Sequence, residues 1–282
     1  MEKIIVATDF SDCSINALEH ALTLADKADA DLRLVWVNKP ESLKDTFETI
    51  PENVEEAVIN KCQELKDKYQ PGLEKGKVDF EIRKGKIYRE IVNAAQEFDA
   101  DLIVIGTHGS SGFEEFWLGS NAFKVVNASK TPIITIRGGV DIDRDLNKIV
   151  MPIDSTLETR QKVPVTAELA ALFDAEIHIL AFYTTSVEAI QLRVDQYSKQ
   201  AIEFLEDEGV KYKLLRIEDD RITNKTIEYA KSVDANLISI MTEQERRTLN
   251  LWMGTFAARM VNHSPIPVLS INPDISDIQL SR

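Results

Sequence analysis

The chain has little of what marks a secreted, metal-binding or nucleic-acid-binding protein. It holds two cysteines, Cys13 and Cys62, without metal-site spacing. Two are too few for a disulfide framework, so a reducing cytoplasm is the expected location. Positive charge is in deficit: 33 Lys and Arg stand against 47 Asp and Glu, a net charge of −14. That balance argues against nucleic acid or an anionic membrane surface as partner. No apolar run approaches the roughly 18 residues needed to cross a bilayer, and no signal-peptide pattern precedes the strand-like Ile4–Ala7. What remains is a composition of 44% hydrophobic and 28% charged residues, ordinary for a globular protein. A length of 282 residues accommodates two domains of common size.

An internal repeat organises those residues. Lys3–Phe10 (KIIVATDF) resembles Lys148–Ser155 (KIVMPIDS), each an apolar strand closed by an aspartate, Asp9 and Asp154. A helix pattern, a short Asp-Ala segment and a second strand follow in both. Ala100–Ile105 matches Ala235–Ile240, Gly119-Ser120 matches Gly254-Thr255, and Thr131–Ile136 matches Ile266–Ile271. The offset is 145 residues at the front and 135 at the back, a period of whole-domain size. Charge divides evenly: residues 1–140 hold 17 basic and 24 acidic residues, residues 141–282 hold 16 and 23, so each half carries −7.

Each half alternates strands with helices, which predicts parallel βαβ units. Strands are expected at 4–8, 31–37, 78–83, 101–105 and 132–136, with helices at 14–28, about 52–69, 87–98 and 119–128. The second half repeats this with strands at 148–153, 176–182, 211–216, 236–240 and 267–271 and helices at 160–173, 187–208, 222–233 and 254–263. Domains are expected over 1–140 and 145–273, with a linker at Gly138–Leu146 and a polar tail at Asn272–Arg282.

One stretch points to a ligand. The strand-like Leu102–Ile105 ends at Gly106, glycines recur at Gly109 and Gly112, and Gly119-Ser120 opens a helix pattern that includes Asn121. A strand feeding a glycine-rich loop and a helix N-terminus presents backbone N–H groups to an anion. Glycine allows close approach and positive φ. In an open parallel sheet ligands lie outside the C-terminal strand ends, where Asp9, Val37 and Gly106 fall. No lysine follows the glycines, so the loop is not a Walker A motif; nor is it the G-x-G-x-x-G dinucleotide fingerprint. β- and γ-phosphate charge would then need a divalent cation such as Mg²⁺, for which no carboxylate ligand can be assigned.

The spacing Gly106-x-x-Gly109, nine residues, then Gly119-Ser120 resembles the signature of the ATP-binding branch of the universal stress proteins. Thr8-Asp9-Phe10-Ser11, the Gly85…Ile91…Ala94 stretch and the Pro132–Ile136 strand are similar to that family too, and the likeness spans nearly the whole chain. The resemblance implies two repeated open parallel-sheet α/β domains of Rossmann-like, adenine-nucleotide-binding type, forming an internal pseudo-dimer. It implies adenine near Asp9 and the backbone at Val37, and ribose and phosphates near Gly106, Gly109, Gly119 and Ser120. The implied site set is Thr8, Asp9, Val37, Ile105, Gly106, Gly109, Gly119, Ser120 and Asn121, with ATP as ligand and no catalytic residue. The expected role is a nucleotide-dependent stress sensor. An ATP-hydrolysing enzyme of the same fold and a non-binding scaffold are the alternatives, and a homodimer of the tandem chain is a further expectation.

The second half departs from this pattern. Met241 stands where Gly106 does, Gln244 at Gly109 and Arg247 at Gly112, so this half is expected not to bind ATP in the family manner. Other features have plainer readings beside the sharp ones. Asp9 could cap a turn rather than contact a base. His108 has no partner placed by sequence, and Lys124 suits a solvated helix face. Trp117 and Trp252 suit packing better than base stacking. Both cysteines read as structural.

Overall fold

The computed structural model describes residues 1–38, 53–107, 120–137, 145–242 and 255–273, with Ser120 and Thr255 described by backbone alone. The chain divides into two compact units, Met1–Gly139 and Val140–Arg282.

In the first unit β1 (Lys3–Ala7), α1 (Asp12–Ala28), β2 (Asp31–Asn38), α2 (Val54–Tyr69) and β3 (Val78–Lys84) are followed by α3 (Ile87–Phe98), β4 (Leu102–Gly106), α4 (Ser120–Ala128) and β5 (Ile133–Ile136). The strands pair in parallel in the order β3-β2-β1-β4-β5. Chain order thus runs outward from β1 to β3 and resumes on its other side at β4. Such a reversal opens a crevice above the C-terminal ends of β1 and β4.

The second unit repeats the plan: β6 (Lys148–Ile153), α5 (Val163–Phe173), β7 (Glu176–Phe182), α6 (Glu188–Asp207), β8 (Tyr212–Ile217), α7 (Ile222–Ser232), β9 (Leu237–Met241), α8 (Thr255–His263) and β10 (Val268–Ile271). Its parallel order is β8-β7-β6-β9-β10. Among the described residues no helix is long and apolar enough to cross a membrane.

The central strands are buried on both faces, so their sequences read as unbroken apolar runs. Ile4, Ile5 and Val6 in β1 and Leu102, Ile103 and Val104 in β4 have no exposed surface. The Asp-Ala segments noted in the sequence have a common mechanical role. Asp29, Asp99, Asp174 and Asp234 all take positive φ, between 51° and 54°. The next residue, Ala30, Ala100, Ala175 or Ala235, donates its N–H five residues back, at 2.8–2.9 Å. This is the left-handed cap that usually takes glycine, with aspartate as the tolerated substitute. Each helix is thereby turned into the next strand.

A second device also recurs. Asp101 accepts the N–H of Glu2 and Lys3 at 2.6 and 3.0 Å, and Asn236 accepts those of Asn147 and Lys148 at 2.9 and 3.1 Å. Both lock the entry of a first strand beside the fourth.

One predicted helix is corrected. In place of a helix from residue 160, Leu157–Arg160 forms a short 3-10 turn and α5 starts at Val163, with Pro164 in its first turn. Proline lacks the N–H that a helix interior needs, so the regular helix starts around it.

Candidate functional site

The crevice is built on the turn that leaves β1. Thr8 N–H donates to Val35 O at 3.0 Å and completes the β1–β2 pairing. Asp9 closes an Asx turn: its Oδ1 accepts the N–H of Ser11 at 3.1 Å and the Ser11 hydroxyl at 2.5 Å. Ser11 in turn caps α1, its Oγ accepting the N–H of Ser14 at 3.3 Å. The Ser14 hydroxyl donates to Ser11 O at 2.9 Å, accepts Asp9 N–H at 3.4 Å and lies 3.2 Å from Thr8 Oγ1. Phe10 N–H donates to Thr8 Oγ1 at 3.1 Å. Phe10 itself has φ 65°, a conformation a bulky residue adopts only under constraint. Its ring packs against the buried cluster of Trp36, Val58 and Cys62. The turn reading of Asp9 is therefore met, with its carboxylate held by Ser11 just past the end of β1.

β2 overhangs β1. Pairing with β1 ends at Ala7↔Val35, whereas pairing with β3 runs on to Asn38↔Lys84. Main-chain groups two residues apart point to the same side of a strand, so Val37 faces β1 as Val35 does. The next donor in line is Phe10 N–H, which turns back to Thr8 Oγ1. The β1 side of Val37 thus presents an N–H and a C=O past the end of the ladder.

On the other flank Ile105 and Gly106 close β4, and Thr107 N–H donates to Ile136 O at 2.8 Å. Gly106 does not use positive φ among the described residues. Its requirement is steric: a Cβ there would lie 2.8 Å from Cys13 Sγ and 3.0 Å from Cys13 O. The first turn of α1 crosses directly over the end of β4. Cys13 is nearly buried and its thiol donates to Ile136 O at 3.6 Å.

α4 begins at Ser120, and Asn121 is half-buried in its first turn. The first N–H groups of a helix have no partner within it and attract anions. Gly109, Gly119, His108 and Trp117 lie outside the described residues, as do Gln244, Arg247 and Trp252. Lys124 is exposed on the solvent side of α4. Cys62 is fully buried, and burial pushes its thiol up to about 11, which leaves it unreactive. No group of three metal-binding side chains occurs among the described residues.

The second unit keeps the aspartate turn and changes what lies under it. Asp154 Oδ1 accepts Thr156 N–H and Oγ at 2.9 and 2.6 Å, and Asp154 N–H donates to Thr159 Oγ1 at 3.3 Å. Ile153 replaces Thr8, so the hydroxyl beside Thr159 is gone. Lys162 replaces the fully buried Ala17 and supplies its ammonium instead: Nζ donates to Thr159 O at 2.5 Å and lies 3.2 Å from Thr159 Oγ1. Lys162 is 2% exposed, and burial drags its amine down to about 8 despite the nearby Asp154 carboxylate. Sequence reasoning missed Lys162. The constant offset of 145 that aligns Asp9 with Asp154 also aligns Ala17 with Lys162 and was the available signal.

This comparison carries a prediction. Asp9→Ala removes the acceptor of two hydrogen bonds and lowers stability by about 1 kcal/mol in urea unfolding. Asp154→Ala costs more, about 2 kcal/mol, because it also strips a buried ammonium of its nearest carboxylate. Equal losses would contradict the role given to Lys162.

Fold and turn geometry define a tandem pair of Rossmann-like α/β domains, each with an aspartate at the exit of its first strand. The model of the universal stress protein family matches residues 1–137 and again 146–272, and the chain belongs to that family. It is 32% identical over 145 residues to universal stress protein MJ0531 of Methanocaldococcus jannaschii, covering 48% of this chain and 82% of that protein. It is 31% identical over 145 residues to universal stress protein YxiE of Bacillus subtilis, covering 48% and 98%. The crystal structure of a universal stress protein from Archaeoglobus fulgidus has the same fold across 96% of this chain and 98% of its own, with a TM-score of 0.74 at 17% identity.

Proposed function

We propose that the first unit binds one adenine nucleotide, ATP, and that the protein works as a nucleotide-dependent stress sensor rather than as an enzyme. The observation that carries this reading is the overhang of β2. The N–H and C=O of Val37 form a donor–acceptor pair that suits N1 and the 6-amino group of adenine. Asp9, held by Ser11, stands beside it for ribose or base. The N-terminus of α4 offers unpartnered N–H groups for phosphate, with Gly109, Gly119 and Ser120 assigned to the same role. Mg²⁺ enters with the phosphates. Two free, buried cysteines support a cytoplasmic setting. The second unit takes no ATP: Met241 ends β9 with a side chain where Gly106 has none, and the hydroxyl network is closed by its own lysine.

Unfolding with and without ligand tests the reading. ATP with Mg²⁺ at 100 times its Kd should stabilise the chain by about 2.7 kcal/mol, with one nucleotide bound per chain. No shift with ATP, ADP or AMP would overturn it. Two bound nucleotides would overturn the assignment of the second unit, and sustained phosphate release would overturn the non-enzymatic role.

A further inference from the structure

Asn38, the last residue of β2, holds its backbone in the sheet: its C=O accepts Gly85 N–H at 3.4 Å. Its side-chain carbonyl behaves differently. Oδ1 is buried and has no hydrogen-bond partner. A buried acceptor left unpaired is costly, and such groups in native structures usually await something. Along a strand alternate residues share a face, so Asn38 lies on the face of Trp36, the face that packs against Phe10. Phe10 follows Asp9 directly. Asn38 thus stands where β2 overhangs β1, next to the exposed edge of Val37.

The second unit supplies an internal comparison. Phe182 and Tyr183 follow Asp154 at the same distance in sequence as Val37 and Asn38 follow Asp9. Tyr183 also closes its strand exit, its N–H donating to Ile217 O at 2.8 Å. Its side chain, however, is fully satisfied within the protein. The hydroxyl donates to Asp195 in a short hydrogen bond, and the Arg216 guanidinium covers the ring at 3.6 Å. One unit closes this position with its own groups, and the other leaves a buried acceptor unpaired.

We infer that Asn38 is a specificity-determining residue whose side-chain carbonyl accepts a hydrogen bond from the exocyclic amino group of the bound base. This rests on the adenine-nucleotide reading above and adds a reason for choosing adenine. An asparagine amide matches the amino-bearing edge of adenine. Hypoxanthine and guanine carry an oxygen at that position, with which Oδ1 cannot pair unless the amide turns over to offer Nδ2.

Parallel ATP and ITP titrations of the full chain test this. The wild-type protein prefers ATP by about tenfold or more, as expected for a lost hydrogen bond to a buried group. Asn38→Leu weakens ATP about tenfold and leaves ITP within about threefold, so the preference falls to the part that the Val37 backbone pair supplies. Asn38→Asp keeps an acceptor and therefore keeps the preference, even if both affinities fall. Without ligand, Asn38→Leu is no less stable than wild type, because no hydrogen bond is lost. Should Asn38→Leu not fold, Asn38→Ala provides the same ratio. An unchanged ATP-to-ITP ratio in the apolar variant, or a lost preference in Asn38→Asp, overturns the inference while ATP binding stands. A wild-type chain that binds neither nucleotide overturns the adenine reading itself.

Discussion

Lys162→Met makes the protein more stable at pH 7, by about 2 kcal/mol, and removes a rise in stability that the wild type shows in alkali. Lys162 is buried at the N-terminus of α5, with its amine turned back onto Thr159. Beside it Thr166 Oγ1 donates to Lys162 O at 2.7 Å and meets Ser239 Oγ at 2.6 Å. The charged group facing it is Asp154 at the end of β6. Those contacts do not offset desolvation, so the folded chain releases the lysine proton near pH 8 whereas an unperturbed lysine holds it to 10.5. Between those values the unfolded state binds the extra proton, and stability therefore increases with pH across the window. Below pH 8 the folded state carries the full burden of a buried charge. Methionine fills similar space without charge, at the loss of the hydrogen bonds to Thr159 O and Oγ1. Urea unfolding of both proteins at pH 7 and pH 10 provides the check, and the difference cancels every other titrating group. A gap that is constant with pH, or a methionine variant less stable at pH 7, would show that Lys162 stays charged and well paired in the fold.

Gly106→Val lowers stability by about 3 kcal/mol and abolishes nucleotide-dependent stabilisation. The added Cβ alone would meet Cys13 Sγ at 2.8 Å and the Cys13 backbone at 3.0–3.1 Å. The thiol could shift, but the backbone of the first turn of α1 could only withdraw as a unit. That turn carries Ser11 and Ser14, which hold Asp9 and Thr8, so displacing it dismantles the turn that leaves β1. Cys13→Ala in the same chain should recover about 1 kcal/mol, since it clears the nearest atom and leaves the backbone clash. The second unit shows how a side chain is accommodated at this place. Met241 ends β9, and there the regular helix begins nine residues after the aspartate rather than three. A Gly106→Val chain with wild-type stability would mean that α1 has freedom not expected from its packing. Lost ATP response at unchanged stability would place the role of Gly106 in phosphate approach alone.

The tandem α/β plan was legible because it follows from local chemistry. Strands buried on both faces must be apolar throughout, and an Asp-Ala pair marks the turn into the second and the fourth strand of each unit. Those pairs and the apolar runs of the central strands suffice to predict most elements to within a few residues. The exception is the start of α5, expected at residue 160 and found at Val163, where Pro164 fits only the first turn of a helix. The candidate site was legible only in part. Asp9, Val37 and Gly106 fall at strand ends by their position in the pattern. Ser14, Asn38 and Lys162 carry no such mark, since serine, asparagine and lysine are ordinary residues in a helix or at a strand end.

The sequence by itself determined the repeat, the βαβ class and the half of the chain that holds the glycine spacing, all of which depend on residue type and spacing along one dimension. Only the tertiary structure decided why Gly106 is glycine, which hydroxyls hold the aspartate, and how far β2 runs past β1. It alone showed that a lysine in one unit fills the place of a threonine hydroxyl in the other. Each of these is set by contacts between residues far apart in the chain, and burial decides whether an amine or a carbonyl there is an ordinary solvated group or a strained one.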